Sequence, residues 1–134
     1  MVLPPEHAEQ IRAPAGTSWL WRPARGVLVT RVVGLLTAQA GAAMEAAMLR
    51  IVAEDGQYEG FHDWLQMTDY AAEARVRLTD AARAVHTSTK IVHILVGSKV
   101  VAFGVRVANA ALGNLRVYQS SDSFESALHS VLRR

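Results

Sequence analysis

Two histidines and an aspartate are the residues of this sequence best suited to chemistry. His62 and Asp63 are neighbours in the segment FHDWLQM, and His93 lies in KIVHILVG. A histidine oriented by a carboxylate is the usual general base. Adjacent residues of a strand point to opposite faces, so His62 and Asp63 cannot serve one site together. A hydrolase or isomerase would therefore require the His62 and His93 imidazoles to face one cleft.

The alternative is that these side chains are structural. Asp63 would then be a partly buried acid paired with an arginine such as Arg75, and His93 a hydrogen-bonded histidine of the core or sheet edge. No serine or cysteine lies at a strand-to-helix turn of the G-x-S-x-G kind that would supply a nucleophile. We therefore predict no catalytic residue and expect that the protein is not an enzyme.

Metal and cofactor sites are not indicated either. Cysteine is absent, which excludes thiolate ligands and disulfides. The remaining histidines, His7, His86 and His129, are scattered, and no pair has the spacing that puts two ligands on one side of a helix or strand. We predict no metal site and no cofactor.

A Gly97-Ser98-Lys99 turn between a predicted strand and a predicted helix resembles a phosphate-binding turn in outline. A helix N-terminus with a nearby lysine favours anions. The spacing does not match the glycine-rich nucleotide-binding motifs, however. We therefore interpret Ser98 as the N-cap of the helix.

The composition is that of a globular domain without a charged or membrane-spanning region. The chain has 134 residues, of which 51% are hydrophobic, and its net charge is +2. No basic stripe indicates nucleic-acid binding, and no apolar run approaches the roughly 20 residues of a membrane span. The first residues, MVLPPEHAEQIRAP, do not resemble a signal peptide. We expect a cytoplasmic protein, and the alanine- and arginine-rich, lysine-poor usage is typical of a bacterial genome of high GC content.

Hydrophobic periodicity predicts alternating strands and helices. The predicted strands are residues 17–22, 27–33, 61–67, 91–96 and 115–119. The predicted helices are residues 35–54, 71–86, a third between Ser98 and Gly113, and 123–132. Thr37 is the predicted N-cap of the first helix and Asp55-Gly56 its end. One face of the third helix is predicted to hold Val101, Val105, Ala108 and Leu112. The order β-β-α-β-α-β-α-β-α predicts an α/β fold with a mixed, mostly parallel five-stranded sheet, because strands separated by helices can run parallel. Residues 17–134 form a single domain in this interpretation, and residues 1–16 form a flexible N-terminal arm.

The first predicted strand presents two tryptophans on one face. Trp19 and Trp21 are two residues apart in TSWLWR. If this strand lies at an exposed sheet edge, the two indoles favour a homodimer. If the arm folds over that face, the indoles are covered instead.

The third helix is rich in small residues, and its members are Gly104, Ala108, Ala110, Ala111 and Gly113. Small residues let a helix pack close to a sheet, which is the simplest interpretation. The alternatives are a close-packed surface for another subunit, or one wall of an apolar pocket.

The order of elements and the segments VLVTRVVG, FHDW, KIVHILVGS and FESAL resemble the SpoIIAA-like branch of the STAS superfamily, over residues 17–132. This is the fold of anti-sigma-factor antagonists and of the cytoplasmic tails of sulfate transporters. Relatives of this kind are also similar in shape to lipid-carrier domains. The resemblance implies a regulatory domain that acts through protein–protein interaction.

The resemblance also implies where the partner would bind. In anti-sigma-factor antagonists, a phosphorylatable serine lies in an Asp-Ser-Ser-Gly-like segment at the start of the helix after the third strand. The matching residues here are Met67, Thr68, Asp69 and Tyr70, in which the glycine is missing and Thr68 is the candidate phosphosite. Thr68 or Asp69 is also a candidate N-cap of the second helix. The resemblance places the start of the third helix at the same end of the sheet, so the predicted partner-binding set also contains Ser98, Lys99 and Phe103.

The leading hypothesis is thus a non-enzymatic domain that binds a protein partner or a second copy of itself. The alternative is a carrier or sensor of a small apolar or lipid-like ligand held between the third helix and the sheet.

Overall fold

The computed structural model describes residues 2–134, and within them the chain forms one sheet of six strands and four α-helices. The strands are β1 (Glu9–Ala13), β2 (Gly16–Trp21), β3 (Val27–Leu36), β4 (Tyr58–Tyr70), β5 (Thr89–Val96) and β6 (Leu115–Tyr118). The helices are α1 (Ala38–Asp55), α2 (Ala72–Ala84), α3 (Lys99–Leu112) and α4 (Ser121–Leu132), with a short 3₁₀ turn at His86–Ser88.

The six strands follow chain order across the sheet, from β1 at one edge to β6 at the other. β1, β2 and β3 are joined by short turns and pair antiparallel. β3, β4, β5 and β6 are each separated by a helix and pair parallel. The predicted mixed, mostly parallel α/β sheet is confirmed, with six strands instead of five.

The additional strand lies in the segment that we predicted to be a flexible arm, and that prediction is wrong for residues 9–13. β1 pairs with β2 along its whole length. Ile11 is its one buried side chain. A strand with a single buried apolar residue has almost no hydrophobic alternation, which is why the sequence pattern did not reveal it.

β1 also removes the exposed edge that a tryptophan-mediated dimer requires. β2 is an interior strand of the sheet, and Trp21 is buried. Val2 and Ala8 of the N-terminal segment pack against the apolar cluster that contains Trp21 and against which the partly buried Trp19 also packs. Of the two alternatives for this face, the structure supports the covered one.

The sheet separates two unequal cores. Helices α1, α2 and α3 cover one face, which we call the three-helix face, where the larger apolar cluster lies. Helix α4 packs on the other face, which we call the α4 face, through Phe124 and Leu128. The central strands β3, β4 and β5 are buried on both sides, as parallel strands between layers of helices must be.

Several predicted boundaries shift because the central strands are longer than their apolar runs. β3 was predicted to end at Val33, but it continues through Gly34, which has a positive φ of 81°, to Leu36. α1 begins after Thr37. Thr37 is the N-cap as predicted, since its side chain accepts from the Ala40 N–H. Gly56 ends α1 in the left-handed conformation, also as predicted.

β4 bulges twice against β3, opposite Arg31–Val33 and again opposite Gly34–Leu35. Each bulge adds one residue to β4 and changes which side chains point to which face. As a result Trp64, Met67 and Tyr70, which are three residues apart, all pack on the three-helix face. The residues between them are turned toward solvent.

The close contact between α1 and α2 gives a test of this packing. A methyl group at Gly41 would lie 2.7 Å from Ala74 Cβ. We expect Gly41→Leu to lower the free energy of unfolding by about 1–3 kcal/mol, because the two helices would have to separate. The matched control is Ala46→Leu at an exposed position of the same helix, for which a change within about 0.5 kcal/mol is expected. Equal urea midpoints for the two variants would contradict the tight α1–α2 contact.

Candidate functional site

The structure brings together the two segments of the predicted partner-binding set. Tyr70 at the end of β4 packs against α3, where a methyl group at Gly104 would lie 2.7 Å from Tyr70 Oη. Gly97 packs closely on the backbone of Leu65 in β4. A methyl group at Gly97 would lie 2.5 Å from the Leu65 carbonyl oxygen. The last part of β4 and the first turns of α3 therefore form one continuous region.

Met67 is a correction to that set. Its side chain is 2% exposed and packs in the core of the three-helix face. The first bulge of β4 turns Met67 inward, and no sequence pattern marks the bulge. Met67 therefore cannot present its side chain to a partner, whereas Thr68 and Asp69 are exposed and Tyr70 is half-buried.

Thr68 does not lie at a helix N-terminus. It is a residue of β4, and the N-cap of α2 is Ala71, which makes no side-chain capping bond. Asp69 accepts from the Tyr70 N–H and does not cap α2 either. The prediction that Thr68 or Asp69 caps the second helix is wrong, and a phosphate on Thr68 would not receive the free N–H groups of a helix. Phosphorylation of the exposed Thr68 hydroxyl stays a prediction.

Helix α3 is apolar on two sides. Val101, Val105 and Leu112 are buried against the sheet, as the sequence predicted. A second stripe at spacings of three and four residues faces solvent, and we call it the outer face of α3: Val100 (53% exposed), Phe103 (61%) and Val107 (50%). A helix that is apolar all round is normally buried, whereas the outer face of α3 is exposed to solvent. The predicted partner-binding set contained Phe103 but not Val100 or Val107, although all three residues follow the same helical spacing.

The turn before α3 is a capping structure. Ser98 Oγ accepts from the N–H groups of Val100 and Val101 at 3.2 and 3.5 Å, which confirms it as the N-cap. These donors are already engaged, so the turn does not offer them to a phosphate. Lys99 is exposed beside this cap.

His62 lies on the three-helix face in a buried polar network that the sequence analysis did not detect. Its Nδ1 is 2.6 Å from Thr30 Oγ1, which also accepts from Trp64 Nε1–H at 3.2 Å. Its Nε2 is 3.5 Å from the Tyr58 hydroxyl. Tyr58 extends over Gly60 to reach this position, where any larger residue would overlap its hydroxyl. Burial, with a smaller effect of His93, lowers the pKa of His62 to about 3, so its ring is neutral.

His93 lies on the opposite face, beneath α4. Its Nε2 is 2.8 Å from Glu59 Oε2, and its Nδ1 is 2.7 Å from the Tyr118 hydroxyl. The ring stacks on Phe61 at a centroid distance of 4.1 Å, and Arg134 donates to Glu59 at 3.3 Å. Burial lowers the pKa of His93, although the Glu59 carboxylate opposes that shift. Glu59 and Tyr118 lie outside the segments that the sequence analysis singled out for chemistry.

The two imidazoles therefore do not share a cleft, and the enzyme hypothesis that required it is wrong. Asp63 shares the α4 face with His93, but its Oδ1 accepts from the Leu65 N–H at 3.3 Å. The predicted pairing with Arg75 is wrong, since Arg75 belongs to the three-helix face. Burial raises the pKa of Asp63, and Arg31 is the arginine whose charge opposes that rise.

Among residues 2–134, no group of three or more histidine, aspartate or glutamate side chains is arranged to hold a metal ion. Within the same residues, no helix combines the length and the apolar character that crossing a bilayer requires.

A cavity of about 100 Å³ lies between α3 and the sheet. Tyr58, His62 and Trp64 form its floor, and its wall is almost entirely apolar. The small residues Gly104 and Ala108 of α3 border it. This is the position at which the alternative hypothesis expects a ligand.

Comparison with known proteins supports the fold. No family model matches the sequence, and no curated protein matches it at a significant level. An uncharacterized protein of the DUF3478 family with a SpoIIAA-like fold, from Shewanella loihica PV-4, is similar in structure with a TM-score of 0.60 at 15% identity. That similarity covers 90% of this chain and 91% of the other.

An anti-sigma factor antagonist from Mycobacterium paratuberculosis is similar to the same degree. The TM-score is 0.60 at 16% identity, over 89% of this chain and 99% of the other.

The buried His62 generates a prediction for pH. The unfolded chain protonates this imidazole near its ordinary pKa of 6.5, but the folded protein does so only near pH 3. The free energy of unfolding should therefore fall as the pH decreases below 6.5, by up to about 1.4 kcal/mol per pH unit from this group. His62→Gln should reduce that slope, and His129→Gln at an exposed position of α4 should leave it unchanged. Urea unfolding at several pH values between 6.5 and 4.5 measures it, and equal slopes for His62→Gln and the unsubstituted protein would contradict the assignment.

The order of strands and helices in the structure agrees with the STAS-type order that the sequence indicated, and two solved structures share this arrangement. The chain therefore has a SpoIIAA-like fold.

Proposed function

We propose that this protein is a non-enzymatic regulatory domain that binds a protein partner through the outer face of α3. The observation that carries the proposal is the solvent-exposed stripe of Val100, Phe103 and Val107 on a helix whose opposite side is already buried. Apolar side chains with an aromatic residue at the centre are typical of the core of a protein–protein interface.

Exposed or partly exposed polar residues lie at the start of α3 and at the end of β4. Lys99 begins α3, and Thr68 and Asp69 lie at the end of β4, which contacts α3 through Tyr70. An interface of this kind combines an apolar centre with a charged, hydrated edge. The partner-binding surface that we propose is therefore the outer face of α3 together with Thr68, Asp69, Ser98 and Lys99.

One comparison supports a regulatory role, since a protein of similar fold is an anti-sigma factor antagonist, a class that acts on other proteins. The non-enzymatic part of the proposal is supported by the two buried histidines, which lie on opposite faces of the sheet, each in its own hydrogen-bond network. We propose a cytoplasmic, bacterial setting for this domain, in which the partner is another regulatory protein or a second copy of the chain.

The first test is site-specific photo-crosslinking in cells of the source organism. A crosslinking amino acid at position 103 should form a covalent adduct with one protein, and the same amino acid at position 49 should not. Leu49 is the matched control because it is also an exposed apolar helix residue, 44% exposed, but lies on α1. An adduct of twice the chain mass would identify a homodimer. Absence of any adduct at position 103 would contradict the proposal.

The affinity of the complex then tests the contribution of the aromatic side chain. Phe103→Asp should weaken binding of the purified partner by at least about 30-fold, which corresponds to about 2 kcal/mol for a central interface residue. Leu49→Asp should change the affinity by less than about twofold. Isothermal titration calorimetry measures both, and equal effects of the two variants would exclude the outer face of α3 as the interface.

A substitution at Thr68 tests the contribution of β4 and the effect of added charge. Thr68→Glu should weaken the same complex, because it adds a second negative charge next to Asp69 within the proposed interface. Thr68→Gln has the same size without the charge and should bind nearly as the unsubstituted protein does. An unchanged affinity of Thr68→Glu would remove the end of β4 from the interface.

A further inference from the structure

The cavity on the three-helix face exists because two positions of α3 are small. Val101 and Val105 of α3 fill the space above the sheet, but Gly104 and Ala108 lie beside the gap between α3 and α2. Tyr70 occupies part of that gap with its hydroxyl against Gly104. The remaining space, about 100 Å³, is bordered on the α2 side by Thr79 and Ala82.

The mouth of the cavity carries a positive charge. Arg75 of α2 lines the cavity and is exposed to solvent, whereas the residues of the floor are buried. Its guanidinium makes no ion pair with another residue of the described chain, residues 2–134. An arginine side chain of this kind is available to a carboxylate at the entrance.

The floor, in contrast, has no charge with which to pair an anion. Tyr58 is completely buried, and the ring of His62 is neutral and hydrogen-bonded to Thr30. A charged group placed at the floor would lose its hydration without compensation. The charged end of any ligand must therefore lie at the mouth and its apolar part at the floor.

The size of the cavity limits the ligand further. An apolar protein cavity of about 150 Å³ accommodates one benzene molecule. The cavity here is smaller but open on one side, so the polar end of a ligand can extend into solvent. A short hydrocarbon chain fits this space, and a single ring fits when it enters through the open side with part of the ligand outside; a long acyl chain exceeds the space.

We propose that this cavity binds a small amphiphilic acid, whose single ring or short chain lies over Tyr58, His62 and Trp64 and whose carboxylate pairs with Arg75. The site is separate from the outer face of α3, which points away from the sheet. The inference therefore does not depend on the proposed protein partner.

The test uses phenylacetate and its neutral analogue 2-phenylethanol as probes, in an NMR titration of the full ¹⁵N-labelled chain. Phenylacetate should shift the amides of the facing sides of α2 and α3 with a Kd of about 1 mM or tighter, as expected for about ten non-hydrogen atoms. It should bind about threefold more tightly than 2-phenylethanol, because an exposed ion pair contributes only modestly. No saturation by about 10 mM of either probe would overturn the proposal.

Variants at the mouth of the cavity distinguish the contribution of the ligand's carboxylate to binding from that of its apolar part. Arg75→Gln should abolish the preference for phenylacetate and leave the affinity for 2-phenylethanol unchanged. Arg106→Gln is the matched control, since Arg106 is an exposed arginine of α3 that does not line the cavity. If Arg75→Gln and Arg106→Gln behave alike, the carboxylate does not pair with Arg75 and the proposed ligand class is wrong.

Variants of the wall test whether the probe occupies the cavity. Ala108→Leu adds three carbon atoms inside it and should weaken both probes at least about tenfold. Ala82→Leu fills the cavity from α2 and should have the same effect. The urea midpoint of each variant shows whether it folds, and with two variants the test still stands if one of them is unfolded. Binding that persists in both folded variants would show that the probes bind elsewhere and would overturn the proposal.

Discussion

The parallel pairing of β3 with β4 is the constraint on which the rest of the structure depends. Both strands are buried on both faces for most of their length, so a shift of one residue would exchange the side chains of the two cores. The register pairs Thr30 with His62, and the hydrogen bond between these two side chains satisfies polar groups that would otherwise be costly to bury. β5 then pairs with β4, and its connections position α2 and α3 on the three-helix face.

The bulges of β4 follow from the same pairing and determine which residues reach the surface. They turn Met67 and Tyr70 inward and leave Thr68 and Asp69 exposed beside α3. Tyr70 then rests on Gly104, which connects the end of β4 to the helix. The proposed interface and the cavity therefore lie on different sides of α3. The position of Tyr70 at the end of β4 affects both, because Tyr70 contacts α3 and lines the cavity.

The strand pairing of the sheet also places the two buried histidines on different faces. Phe61 is paired with His93, and His62 is paired with Ile94. Side chains of paired residues share a face, so His62 and His93 lie on different faces although their strands are neighbours. Each imidazole is engaged by its own partners, Thr30 on one face and Glu59 with Tyr118 on the other. These arrangements stabilise buried polar groups, and they explain why the histidines do not combine into a catalytic pair.

Local sequence patterns determined the α/β class, the order of the helices and the last five strands, and the caps Thr37 and Ser98. These features depend on periodicity and on side chains that act within a few residues of their own position, so they can be predicted from the chain alone. Only the tertiary structure decided that residues 9–13 form a strand, that Met67 is buried, and that His62 and His93 face different cores. Those features depend on strand register, on bulges and on pairing between distant segments, for which the sequence carries no periodic signal.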